Sequence, residues 1–237
     1  MNSDQATNID PAWIAGLLQA ADSYYPTGGY AHSFGLEGLV QEGVVRDRET
    51  LRQFFLRSVL PSLRQVELPL AAHAWRALGD QDWTQLGELS RLSAALRAPR
   101  EIRQASENIG RQRAELVATL RPHSLLQEYQ RRAAAEKWPH SAAISAALEG
   151  RALDAPLPAV LSGIYYTGVS GVLAAAMKIL RLGQNAAQSL LTEVLREAPA
   201  IVAAAVRVPV SEIGWFNPWL DIASARHETA DSRMFIS

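Results

Sequence analysis

Apolar residues recur at helical spacing along most of this chain and almost nowhere alternate. Leu51, Phe54, Phe55, Val59, Leu63 and Val66 fall on one stripe of a helix through residues 48–66, and Leu86, Leu89, Leu92 and Leu96 repeat the pattern over 83–96. A strand needs a period of two, so these segments cannot supply the half-buried faces of a sheet. The same reading predicts a helix from Pro11 to about Asp22 with Asp10 as its N-cap. Further helices are expected over 32–41, 69–77, 100–120, 125–137, 140–148, 158–180, 186–197 and 199–206. Pro61 interrupts the 48–66 pattern and is expected to kink that helix or divide it. The fold class implied is all-α, a single-domain bundle of roughly ten helices.

Composition limits what such a bundle can be. At 237 residues and 48% hydrophobic, the chain can bury one core unaided. A formal net charge of -1 gives no global basic field for nucleic acid or anionic lipid. The absence of cysteine removes disulfides, thiolate metal sites and cysteine nucleophiles together, and fits a reducing cytoplasmic setting. Residues 1–10 lack a basic patch followed by an apolar run, so no secretory signal is expected. The longest apolar stretches, 171–180 and 200–206, fall short of the ~20 residues that span a bilayer, and no membrane association is expected.

Catalytic signatures are missing. There is no phosphate-cradling glycine loop ending in Lys-Ser or Lys-Thr, no dinucleotide-binding glycine pattern and no His-Glu-x-x-His zinc helix. The five histidines, His32, His73, His123, His140 and His227, are scattered without metal-chelating spacing. Gly168-Val169-Ser170-Gly171 lacks the glycine spacing and preceding strand of a nucleophile elbow. A hydrolase using Ser23 or Ser33 with His32 would also lack an acid to orient the base. The chain therefore reads as a protein-binding module, not an enzyme.

Four segments stand out. Residues 22–37, Asp-Ser-Tyr-Tyr-Pro-Thr-Gly-Gly-Tyr-Ala-His-Ser-Phe-Gly-Leu-Glu, form a dense glycine-containing corner between two helices. Such a corner is expected to expose Tyr30, His32 and Glu37 to a partner. In 100–110, Arg103, Ser106 and Gly110 share one helical face, where small residues let another helix approach and leave Arg103 free to pair across the contact. Residues 163–184 are rich in small side chains, suiting a central core helix, with Lys178 and Arg181 near its carboxyl end. The tail carries Arg226, His227, Glu228 and Arg233, then Met234, Phe235 and Ile236 as an apolar anchor. So polar a stretch is expected to be mobile alone and ordered on binding.

With these motifs in hand, the chain resembles the UreF family of urease accessory proteins. The match runs through Asp22–Glu37 in the first segment, Arg103–Gly110 in the second, Lys178 to Gln184 in the third and His227 to Ser237 at the end, all in family order. Arg181 departs from the family pattern, where proline is common. The resemblance implies one helical domain over 1–237, with 1–9 flexible and 221–237 a partner-docking tail. It implies a homodimer that assembles with UreD (UreH) and the UreG GTPase to bring nickel to apo-urease. It also implies that nickel is handled transiently and no cofactor is bound stably. The partner-binding residues implied are Pro26, Thr27, Gly28, Gly29, Tyr30, His32, Ser33, Glu37, Arg103, Ser106, Lys178, Arg226, His227, Glu228, Arg233 and Phe235. The competing expectation is a helical adaptor unrelated to nickel.

Overall fold

Helices sit where the apolar spacing places them. The computed structural model describes residues 12–29, 32–227 and 233–235. Its elements are α1 (Ala12–Ala21), α2 (Leu36–Gln41), α3 (Arg48–Phe54), α4 (Leu60–Ser62), α5 (Leu68–Asp80), α6 (Trp83–Ala95) and α7 (Arg100–Leu120). They continue as α8 (Ser124–Glu136), α9 (Ala142–Ala152), α10 (Leu157–Ile179), α11 (Gln184–Leu195), α12 (Ala198–Ala205) and α13 (Pro218–His227). No strand occurs among the described residues, and the fold is an all-α, single-domain bundle. The segments 1–9 and the Asp10–Pro11 cap lie outside the described residues.

Of the two outcomes expected at Pro61, a kink or a division, the division does not occur. π-helical turns at Phe55–Val59 and Leu63–Glu67 join α3, α4 and α5 into one helical run. A proline ring clashes with the carbonyl four residues back and offers no amide. Widened turns relieve both problems, with Leu60 N–H donating to the Phe55 carbonyl and Leu68 N–H to that of Leu63. Pro69 leaves the Gln65 carbonyl without its helical donor, and the Gly214 N–H takes that place at 3.1 Å. The carboxyl-terminal segment is thereby fastened to the long helical run.

The core is organised around α9, in which every residue from Ala143 to Gly150 is buried. A helix buried all round must be enclosed on every side, and α5, α7, α8 and α10 enclose it. The close crossing of α7 depends on Gly110, where a methyl group would fall 2.6 Å from the backbone nitrogen of Ser141. Ser145 Oγ donates to the Gly110 carbonyl at 2.7 Å, and Ser106 Oγ accepts the Ala142 N–H at 3.4 Å. That amide belongs to the first turn of α9 and has no partner within its own helix.

Helix α10 corrects another expectation. Its 23 residues are long and apolar enough to cross a membrane, with a best 18-residue window of mean hydropathy 1.4. Uninterrupted apolar runs understate it, because glycine and hydroxyl residues dilute the sequence without making it polar. In the bundle it is the expected core helix, packing on α1, α5, α9, α11 and α12. Tyr165 is fully buried there and donates its hydroxyl to the Val194 carbonyl at 2.7 Å.

Candidate partner-docking site

The 22–37 corner begins with a local turn, in which Asp22 Oδ1 accepts the Tyr24 N–H at 2.8 Å. It ends with two successive residues in the left-handed region, Phe34 at φ 52° and Gly35 at φ 84°. Gly35 answers a steric demand as well, because a methyl group there would lie 2.6 Å from both Leu220 Cδ1 and Ser224 Oγ of α13. Ser33 Oγ accepts the Glu37 N–H at 3.3 Å near the start of α2. The turn chemistry therefore delivers Glu37 beneath α13.

Glu37 is only 5% exposed, yet it is fully engaged. Its Oε1 accepts the Met234 N–H at 2.7 Å and its Oε2 the Phe235 N–H at 3.0 Å. His227 Nε2 lies 2.9 Å from the same Oε2, while His227 Nδ1 lies 3.2 Å from Glu101 Oε2. Arg233 closes the chain with 2.7 Å to Glu101 Oε1. Burial pushes the Glu37 carboxyl up, but hydrogen bonds from the Met234 amide, His227 and the Phe235 amide outweigh it and hold it below the usual glutamate range. Phe235 is buried, and Lys178 Nζ stands 5.3 Å from its ring centroid, a cation–π distance.

All four segments singled out in the sequence thus meet in one place. Glu37 comes from the first, Glu101 from the second, Lys178 from the third, and His227, Arg233 and Phe235 from the last. Chemically this is a carboxylate clamp for a peptide end: charged acceptors hold two main-chain amides while a cation covers the aromatic anchor. Glu37, His227 and Glu101 form a linear relay, and no three His, Asp or Glu side chains among the described residues are grouped to hold a metal ion.

A second buried carboxylate lies deeper. Glu149, 1% exposed, accepts from Arg113 at 3.1 Å and from the Tyr25 hydroxyl at 2.5 Å. Tyr25 belongs to the same corner, and burial together with the neighbouring Glu149 carboxylate raises its hydroxyl. Sequence reasoning missed Tyr25, Glu149, Arg113 and Glu101. Glu101 lay inside a highlighted segment, but nothing in its spacing pointed across to a tail more than a hundred residues away.

Several expectations about exposure need correction. His32, Ser33 and Glu37 are buried, as are Thr27, Ser106, His227 and Phe235. The corner folds its polar groups inward because α13 and the tail cover it. Burial also holds the His32 imidazole below its ordinary range. Arg103 does not pair across a helix contact; it donates to the Arg97 carbonyl at 2.9 Å, holding the turn before α7. The tail is not free, since residues 233–235 are docked on Glu37 within the chain; the charged acceptor offsets their ordering entropy. Pro26, Lys178, Arg226 and Arg233 remain exposed, Gly28 and Gly29 are half-buried, and Arg226 pairs with Glu42 at 3.0 Å. Tyr30 and Glu228 lie outside the described residues, and residues 221–227 belong to α13.

Known proteins resemble this chain over nearly its whole length. The UreF family model matches residues 45–195. The urease accessory protein UreF of Azoarcus sp. (strain BH72) is 33% identical over 237 residues, covering 100% of both chains. That of Pseudomonas aeruginosa (strain UCBPP-PA14) is 35% identical over 220 residues, 93% of this chain and 97% of the relative. The UreF of Bacillus sp. (strain TB-90) is 27% identical over 224 residues, 94% of this chain and 99% of the relative. This chain belongs to the UreF family.

Proposed function

We propose that this chain acts in urease maturation as a cytoplasmic scaffold, binding UreD (UreH) and the UreG GTPase so that nickel reaches apo-urease. In this reading it works as a homodimer, catalyses nothing itself, and carries nickel only as transient cargo of the assembly. The observation that supports it most is the clamp on Glu37, which gathers the family's ordered motifs around the tail. Its buried members, Glu37, His227 and Phe235, position the tail, and the exposed Lys178, Arg226, Arg233 and Met234 are offered to a partner. Charged side chains around a seated aromatic suit charge-assisted recognition. Any influence on GTP hydrolysis acts through UreG, because this chain has no phosphate-binding loop.

The test is deletion of residues 231–237, with binding of UreD and of UreG measured separately and urease activation followed in cells. Loss of binding to either partner, with activation lost and helicity retained, supports the reading. A truncated chain that binds both partners unchanged and still yields active urease refutes the tail's part in it.

A further inference from the structure

A proline inside a helical run deprives the carbonyl four residues back of its donor. In the first turn of a new helix that loss is harmless, because the amide there has no partner anyway. Pro69 does not have this excuse. The run does not begin afresh at α5, since the Leu68 N–H still donates to the Leu63 carbonyl across the π-helical turn before it. The Gln65 carbonyl takes its donor from far along the chain instead, the Gly214 N–H at 3.1 Å. Widened turns of this kind are frequent at functional sites.

That bond helps to fix where α13 starts. The other π-helical turn supplies a second fastening, Ser58 Oγ, which accepts from Asn217 Nδ2 at 3.0 Å. Asn217 Oδ1 then caps α13 by accepting the Leu220 N–H at 3.2 Å. From that start α13 has little room to slide on α2. A methyl group on Gly38 would lie 2.8 Å from the Ala223 carbonyl oxygen, and one on Gly35 2.6 Å from Ser224 Oγ. The last residue of α13 is His227, buried at 2.9 Å from Glu37 Oε2 and 3.2 Å from Glu101 Oε2. Each helical residue advances about 1.5 Å and turns about 100°, so a slip of one residue at Asn217 would take His227 away from both carboxylates.

We propose that Pro69 and Gly214 are positioning residues of the partner-docking site. Pro69 leaves the Gln65 carbonyl open, Gly214 fastens the 214–217 segment to it, and the register this gives α13 holds His227 and the tail on Glu37. The link from tail position to partner binding rests on the scaffold reading above; the link from Pro69 to the tail does not.

The experiment compares the full chain as wild type, Pro69→Ala, Gly214→Pro and Gly214→Ala. Pro69→Ala gives the Gln65 carbonyl a donor in its own helix, in competition with Gly214. Gly214→Pro deletes the distant donor, and Ile213 already has the extended backbone, φ -66° and ψ 116°, that a following proline requires. Gly214→Ala keeps the N–H, and its methyl group would meet Leu96 Cδ2 at an ordinary 3.6 Å. Amide protection at Met234 and Phe235 is read beside protection in α9, and UreD and UreG are titrated separately. Tail protection is expected to fall about fivefold or more in Pro69→Ala and Gly214→Pro, with α9 unchanged in Pro69→Ala, and to stay at the wild-type level in Gly214→Ala. Affinity for at least one partner should fall with it. Wild-type tail protection in Pro69→Ala overturns the proposal, whatever Gly214→Pro does to the fold. An equal fall in α9 overturns it as well, because the proline would then serve stability alone. So does a loss in Gly214→Ala as large as in Gly214→Pro, which would trace the effect to bulk and not to the N–H. Loss of tail protection with both partner affinities unchanged supports the positioning role and overturns the tail's part in the scaffold reading.

Discussion

Two glutamates, Glu37 and Glu149, are almost equally buried and do opposite kinds of work. Glu149 is matched by a cation and a hydroxyl, Arg113 of α7 and the buried Tyr25 of the corner. Glu37 is matched chiefly by two main-chain amides at the end of the chain and by His227. The first pairing ties core to core, so losing it exposes nothing useful. The second ties the core to a short segment, so its loss is expected to free that segment and leave the bundle folded. A buried carboxylate is thus a strut or a latch according to what neutralises it, not according to how deeply it lies.

The largest break in that comparison should come from Glu149→Ala. It strands Arg113 in a site with little solvent and leaves the Tyr25 hydroxyl unpaired, so a loss of about 3–5 kcal/mol is expected. Urea unfolding followed by circular dichroism measures it; an unchanged midpoint would show that Glu149 is no strut. Glu37→Ala should act locally, weakening tail docking by about 1.5–3 kcal/mol for the lost charged acceptor while moving the global midpoint less than Glu149→Ala does. Amide hydrogen exchange at Met234 and Phe235 reads this directly. Equal protection in variant and wild type would break the latch reading.

Acid should undo the latch. The Glu37 carboxyl is depressed below its ordinary 4.5 in the folded chain, so its contribution is complete above that value and is lost as pH falls through the folded pKa. Protection factors at Met234 and Phe235, taken against the intrinsic exchange rate at each pH, should therefore fall below about pH 4.5, and Glu37→Gln should flatten that dependence. A profile unchanged by Glu37→Gln would assign the acid response to another group. The smallest effect is expected from Arg233→Ala. Its ion pair with Glu101 is partly exposed, which limits it to about 0.2–1 kcal/mol of tail docking and makes it salt-sensitive. A salt-independent loss several times larger would mean Arg233 is part of the clamp itself.

Helical periodicity was enough to place α6, α7, α10 and α11 to within a residue or two, because apolar residues three and four apart define a buried stripe whatever they pack against. Turn chemistry was likewise enough to find the corner at residues 22–37, and family order to give the identity of the chain. That the helix runs on through Pro61 instead of dividing was not legible, because the compensation lies in widened turns and, at Pro69, in a donor, Gly214, far along the chain. The direction in which His32 and Glu37 face was decided by tertiary structure alone, since a polar residue on a turn faces water unless something covers it. Here α13 and the tail do. Local spacing carries the free energy of single helices, whereas the pairing of Glu37 with Phe235 or Glu149 with Arg113 depends on which distant segments share a desolvated space, and no short stretch of sequence encodes that.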